Sequence, residues 1–402
     1  MSCKFIKAEE FCDSVRDGTH DTPQPVQHGY KLITGKHIKN GQILPESAYF
    51  ISSEDYTAIN QRSNVEQWDV LMSMIGTVGE VAVVKDDPSY AIKNVALFKC
   101  GGSELKGRWL AYYLQNPTTK ARMIGNMKGS SQQFLSLRQL RTLPIPIIET
   151  SVMKGIVDIL SAYDDLIENN QKQIKLLEEA AQRLYKEWFV DLHFPSWENA
   201  TIVDGVPEGW ESTVIADVCQ TIGGGTPSTK VPAYYDGGTI PWVTPTDITH
   251  SNSVALLNTE KKITDEGLKN SSAKMLPAET VLMTSRASVG YFGIYPYAVC
   301  TNQGFISCIP NNKNFQMYLL YNLMERVEEI RQKAGGSTYL EISKKTFRDM
   351  TIIVPSETVL NRFQQYAYDM FSAIRKKEME NVRLKEARDR LLPKLMSGEL
   401  EV

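Results

Sequence analysis

A chain of 402 residues is too long for one ordinary core and fits two domains of common size. Hydrophobic residues at 42% and charged residues at 23% are globular proportions, and no run of about 18 apolar residues marks a membrane span. A net charge of -3 excludes a strongly basic nucleic-acid binder, but local positive patches could still serve such a partner.

The opening MSCKFIKAEEF has no apolar leader, so the expected location is the cytoplasm. Six cysteines without a CxxC pair are expected as reduced thiols, and the five scattered histidines have no zinc-site spacing. Residues 1–150 read as a first globular domain. VGEVAVV (78–84) is β-rich and GRWLAYYLQN (107–116) is helical. A glycine-serine loop from Gly129 and a short proline-ended strand follow. Residues 151–194 read as a long helix. Its seam is Ile156, Leu160, Tyr163, Ile167, Asn170, Ile174, Leu177, Ala181, Leu184 and Trp188, with the four-three spacing of helices packed along their length. Asn170 in that seam is expected to fix register, because an unpaired amide in a dry seam is costly.

Residues 195–355 hold a linker and a second domain. The stretch from Phe194 to Trp210 contains two prolines, which end the first helix. TVLMTS (280–285) is β-rich and FQMYLLYNLMERVEEI (315–330) is helical. Residues 356–402 form a second long helix, whose seam is interrupted by Lys377, Asn381 and Arg388. Pro393 and Gly398 are expected to end it. Each helix would be about 55–60 Å long at 1.5 Å per residue. The expected arrangement pairs the two helices within the chain. The spacing also allows each helix to cover its own domain, or an intermolecular coil.

The chain repeats itself. GSSQQFLSLRQLRTLPIPI from Gly129 aligns without gaps on GSTYLEISKKTFRDMTIIV from Gly336, and the match continues through Ile167 on Ile374 and Leu184 on Leu391. Upstream, VLMSMIGTVG ending at Gly79 parallels VLMTSRASVG ending at Gly290. The stretch around Asn94 parallels TNQGF around Asn302, and DGTHDTP from Asp17 parallels GGTPS from Gly224.

Nucleic acid is suggested by the surroundings of the repeated loop. Lys120, Arg122, Lys128, Arg138 and Arg141 lie in an acid-free stretch, and Arg331, Lys333, Lys344, Lys345 and Arg348 face only Glu341. A second acid-free stretch, 22–45, carries Lys31, Lys36 and Lys39. Hydroxyls, amides and cations there suit phosphates and base edges. Two related but non-identical readers on a rigid spacer would take a divided, asymmetric target. No GxxxxGK[ST] phosphate loop, Asn-Pro-Pro-aromatic signature or nuclease-like acid cluster occurs; Asp86-Asp87 and Asp164-Asp165 read as solvated surface.

With RASVG (286–290), TNQGF (301–305), GSTYLEISKKTFRDMTIIVP (336–355), the helix 159–189 and the ending RDRLLPKLMSGEL (388–400), the chain resembles the specificity subunits of type I restriction-modification systems. The resemblance implies an α+β fold. Two mixed α/β target-recognition domains would be separated by two long helices packed as an antiparallel coiled coil, with an internal pseudo-twofold repeat. It also implies that each domain reads one half of a bipartite double-stranded DNA site and that the helices dock two methyltransferase subunits. Restriction/translocase subunits would join where a system has them. S-adenosylmethionine would belong to the methyltransferase, and ATP and magnesium to the restriction subunits, leaving this chain without catalytic site, metal or cofactor. The first repeat has Ile75 where the second has Arg286, so an arginine contact is expected only in the second.

The candidate DNA-binding residues are Lys36, Lys39, Ser130, Ser131, Gln132, Gln133, Arg138 and Arg141 in the first domain. In the second they are Arg286, Ser337, Thr338, Tyr339, Lys344, Lys345 and Arg348. Arginine and lysine would hold phosphates, and Gln and Tyr would touch bases. Two other readings stay open here: a coiled-coil scaffold that does not read DNA, and a methyltransferase or nuclease with unrecognised motifs.

Overall fold

The computed structural model describes residues 4–125, 134–203, 205–251, 253–336 and 339–402. The chain forms two compact units, residues 1–166 with 384–402, and residues 167–383. Each long helix therefore contributes one stretch to each unit.

In the first unit, Lys4–Lys7 pairs antiparallel with Pro144–Ile147. A four-stranded antiparallel sheet runs in the order Ser14–Asp17, Val95–Lys99, Val70–Ser73, Val81–Val83. A smaller sheet places Tyr30–Ile33 between Phe50–Ile51 and Tyr90–Ile92, the last pair parallel. Val70, Leu71 and Met72, and Val95 through Phe98, are apolar without a break because both faces are covered. Val70, Met72, Ala96 and Phe98 join the core under the helix Glu104–Gln115. Leu71, Val95 and Leu97 point the other way, into a second core with Ile33, Ile38 and Ile92.

The second unit repeats this plan strand for strand. Glu211–Val214 pairs with Thr351–Val354. The four-stranded order is Cys219–Gly223, Phe305–Pro310, Val281–Thr284, Phe292–Ile294. The small sheet places Ile240–Val243 between Lys261–Ile263 and Cys300–Thr301, again with a parallel last pair. The helical stretch expected from 315 to 330 is broken at Arg326, whose guanidinium donates to Thr351 O at 2.7 Å.

The long helices are Thr150–Tyr185, extended by a π-turn over Lys186–Val190, and Glu357–Ser397. Within each unit they run antiparallel, and they also line that unit's core. In the first unit Ile156 and Leu160 share a core with Leu392 and Leu395, and Arg388 donates to Asp164 at 2.6 Å. In the second, Trp188 packs on Phe363 with ring centroids 6.0 Å apart, while Asn170 meets Asn381 at 3.1 Å. The polar interruptions of the second seam are thus partnered. Asn381 and Arg388 each find a polar group on the facing helix, and the Lys377 ammonium donates to Asn170 Oδ1 at 3.5 Å.

Two sequence expectations need correction. Pro393 does not end the second helix, which continues to Ser397. Burial of Leu392 and Leu395 on either side holds the helix through the missing hydrogen bond. Gly398, at φ +75°, is the residue that stops it. Nor are Asp164 and Asp165 plain solvated acids. Asp164 accepts from Arg388 and from the Tyr112 hydroxyl at 2.7 Å, and Asp165 pairs with Arg108 and Lys85.

Candidate nucleic-acid interface

The duplicated motifs, far apart in sequence, converge in the second unit. The turn after Val281–Thr284 reverses through Ala287 at φ +61° and Gly290 at φ +84°. The Thr284 hydroxyl donates to Ser288 O and accepts from Tyr291 N at 2.9 Å. Residues 340–342 fold onto this turn. Ala287 N donates to Leu340 O at 2.8 Å, Ile342 N donates to Ser285 O at 3.0 Å, and Arg286 faces Glu341 at 3.5 Å. Ser285 N donates to Gly304 O at 2.8 Å, which brings in TNQGF. Gly225 N donates to Thr301 O at 2.9 Å, which brings in the glycine run 223–225.

The first unit repeats this turn. Ser73 Oγ donates to Thr77 O and accepts from Glu80 N, Gly76 and Gly79 take positive φ, and Ile75 bridges Phe134 as Arg286 bridges Glu341. Thr19 N donates to Ile92 O at 3.0 Å, matching Gly225 on Thr301.

A short helix that the sequence reading did not resolve follows each repeated loop, Leu137–Arg141 and Lys344–Arg348. Ser136 and Ser343 cap them, accepting from Gln139 N and Thr346 N, and Leu140 and Phe347 anchor them in the core. These helices sort the basic candidates. Arg141 Nε donates to Val15 O at 3.1 Å, and Arg348 donates to the Thr221 hydroxyl and, at 2.9 Å, to Thr221 O. Both arginines thereby tie the short helix to the first strand of the four-stranded sheet. Arg138 and Lys345 are exposed and have no side-chain partner among the described residues. Lys344 lies across Gly223, so close that a Cβ there would be 2.7 Å from its ammonium nitrogen. Tyr339 is 60% exposed.

Lys36 and Lys39 are exposed on a turn that packs over the strands Val70–Ser73 and Val81–Val83. Gly35 sits beside Ser73 and Ile75, which places this turn next to the bridge between Ile75 and Phe134. Between the two lysines His37 is buried, and its Nδ1 accepts from Thr34 N at 2.9 Å. Burial, then the Lys36 charge, push its pKa down and keep the imidazole neutral. Lys31 is committed elsewhere, donating to Ala48 O at 2.6 Å with its ammonium 3.7 Å above the Phe50 ring. Ser130, Ser131, Gln132, Gln133, Ser337 and Thr338 lie outside the described residues.

Sequence reasoning missed Thr226 and Gln303, two exposed side chains hydrogen-bonded to each other within this cluster. Only the recurrence of GGTPS and of TNQGF, each with its counterpart in the first repeat, hinted at them. Among the described residues no group of three His, Cys, Asp or Glu side chains is placed to hold a metal, and no helix is long and apolar enough to cross a membrane. The five described cysteines are buried and form no disulfide.

Residues 4–179 and 207–387 match the family described as Type I restriction modification DNA specificity domain. The chain belongs to this family. Among its specificity-family relatives, the MjaIX specificity subunit of Methanocaldococcus jannaschii is 35% identical over 165 residues, covering 40% of this chain and 38% of that protein. The HindI specificity subunit of Haemophilus influenzae is 26% identical over 350 residues, covering 71% of this chain and 76% of that protein. The crystal structure of a type I restriction-modification S subunit from M. genitalium has a similar fold. Its TM-score is 0.59 at 14% identity, covering 98% of this chain and 96% of that one.

Proposed function

We propose that this chain is the DNA-reading subunit of a type I restriction-modification complex and carries no catalytic site of its own. The observation that carries the reading is that one loop cluster, with exposed cations and polar side chains, is built twice within a chain of the specificity family. Each cluster reads one half of a split double-stranded site, and the side chains of the two differ, so the halves differ in sequence. Residues 1–150 and 195–355 act as the two target-recognition domains, and residues 151–194 and 356–402 as the helical spacer.

Lys36, Lys39 and Arg138 in the first domain, and Lys344 and Lys345 in the second, hold phosphates. Arg286 holds phosphate as well, and Tyr339, Gln132 and Gln133 touch bases. Arg141 and Arg348 act chiefly through the fold, since each guanidinium already donates to a backbone oxygen of the sheet's first strand. Two methyltransferase subunits dock on the helices and bring S-adenosylmethionine. Restriction subunits, where present, bring ATP and magnesium. This places the protein in the cytoplasm.

Mapping modified adenines across the genome with and without this gene tests the reading. Loss of one split motif is expected, and an unchanged map overturns it. At the residue level, Lys344→Ala with Lys345→Ala is expected to weaken binding to all sequences and lower the salt slope by about two. An unchanged slope removes these residues from the interface.

A further inference from the structure

We propose that Gln303 reads an adenine in the half-site of the second domain, and that Thr226 is the positioning residue holding its amide for the task. This rests on the DNA-reading function proposed above and names one reading residue and its base.

Gln303 and Thr226 come from segments 77 residues apart, and both are exposed. The Thr226 hydroxyl donates to Gln303 Oε1. That contact occupies one lone pair of the amide oxygen. A second lone pair and both Nε2 hydrogens remain, an acceptor beside a donor. The adenine edge in the major groove presents a donor at N6 beside an acceptor at N7, which this amide matches with two hydrogen bonds. Guanine presents acceptors at both O6 and N7, so the amide oxygen would face another oxygen. The pair therefore favours adenine over guanine by geometry and charge.

The loops carrying these side chains are held rigidly, as a discriminating contact requires. Gly225 O accepts from the indole of buried Trp242 at 3.0 Å, and Pro227 O accepts from the Tyr235 hydroxyl at 2.6 Å. Thr226 is thus pinned on both sides. Asn302 N donates to Val243 O at 3.0 Å, and Gly304 N donates to Asn302 Oδ1 at 2.9 Å, which fixes Gln303 between them. The two loops interlock so closely that a Cβ on Gly224 would lie 2.0 Å from Asn302 O. Arg286 borders the pair, its Cβ 4.0 Å from where a Cβ on Gly304 would stand.

The first domain places different chemistry on the matching backbone. There His20 Nδ1 lies 2.7 Å from Asn94 Oδ1, and His20 Nε2 lies 3.2 Å from Asp17 Oδ2. One scaffold thus carries an amide–hydroxyl pair in one domain and an imidazole–amide–carboxylate set in the other.

The test replaces the chromosomal gene with variants and maps modified adenines genome-wide, alongside melting of each purified full chain. Gln303→Ala is expected to relax one position of one half-site, with discrimination falling about 10- to 100-fold, while the other half-site, the gap and the melting temperature stay unchanged. Gln303→Glu, which only accepts, is expected to move that position from adenine toward cytosine, whose N4 donates. Thr226→Val is expected to relax the same position less, about 3- to 10-fold, and Thr226→Ser to restore it. A split motif with every position intact in Gln303→Ala overturns the inference while the proposed function stands. Relaxation in Gln303→Ala with Thr226→Val unchanged overturns the positioning role. Loss of the whole motif by a Gln303→Ala chain that still melts normally overturns base-specific reading. If deleting the gene removes no motif, the proposed function itself fails.

Discussion

Replacing Asn170 with Leu tests whether the polar pair in the helix seam stabilises the fold or only specifies it. Asn170 Nδ2 donates to Asn381 Oδ1 at 3.1 Å and to Glu380 Oε2 at 3.0 Å, and the two asparagines are 5% and 2% exposed. Leucine keeps the number and branching of side-chain heavy atoms and is somewhat larger, so no cavity opens. Glu380 is exposed and returns to water. Asn381 cannot, and a buried amide left without its partner costs about 1–3 kcal/mol. Asn170→Leu is therefore expected to destabilise the second unit by about 2 kcal/mol in urea unfolding. Replacing both asparagines with leucine removes the orphaned amide and extends the apolar seam, so the double variant is expected within about 1 kcal/mol of the starting protein. The coupling from the double-mutant cycle should then be about 1–3 kcal/mol. Equal stability of Asn170→Leu and the starting chain, or additive losses in the double variant, would refute this account of the seam.

Three further variants have outcomes that the contacts set. Glu178 Oε1 accepts from Val254 N at 2.9 Å, and burial raises its pKa above the ordinary 4.5, with Glu378 adding to the rise. A raised folded-state value means that its contribution is favourable below 4.5 and is lost as pH rises through the folded value. Glu178→Gln keeps the acceptor without the charge, so melting temperatures should match the starting protein in acid and exceed it increasingly toward neutral pH; a constant gap would contradict this. Arg348→Ala leaves the buried Thr221 hydroxyl and carbonyl without their donor and is expected to cost about 1–2 kcal/mol of stability, which calorimetry would register. Lys345→Ala should leave stability unchanged and affect only DNA binding; the reverse pattern would exchange their roles.

The repeat, the two long helices and the basic loop surroundings were legible in the amino-acid order, because periodicity and duplication are local or linear signals. The seam residues Ile156, Leu160, Ala181 and Trp188 are all buried as their spacing predicts. That Asn170 needs a partner was legible because it is a polar residue in an apolar stripe, but its partners Asn381 and Glu380 lie 211 and 210 residues away, and only folding identifies them.

What the tertiary structure alone decided was which side chains are free. Arg141 and Arg348 carry the same charge as Arg138 and Lys345 and sit on the same short helices, yet each donates to a strand more than a hundred residues earlier. Thr226 and Gln303 show the converse: neither has a conspicuous sequence signal, and they meet only because strand pairing brings their two loops together. Chain order carries periodicity. It does not carry the through-space hydrogen bonds that separate a residue spent on the fold from one left to meet a ligand.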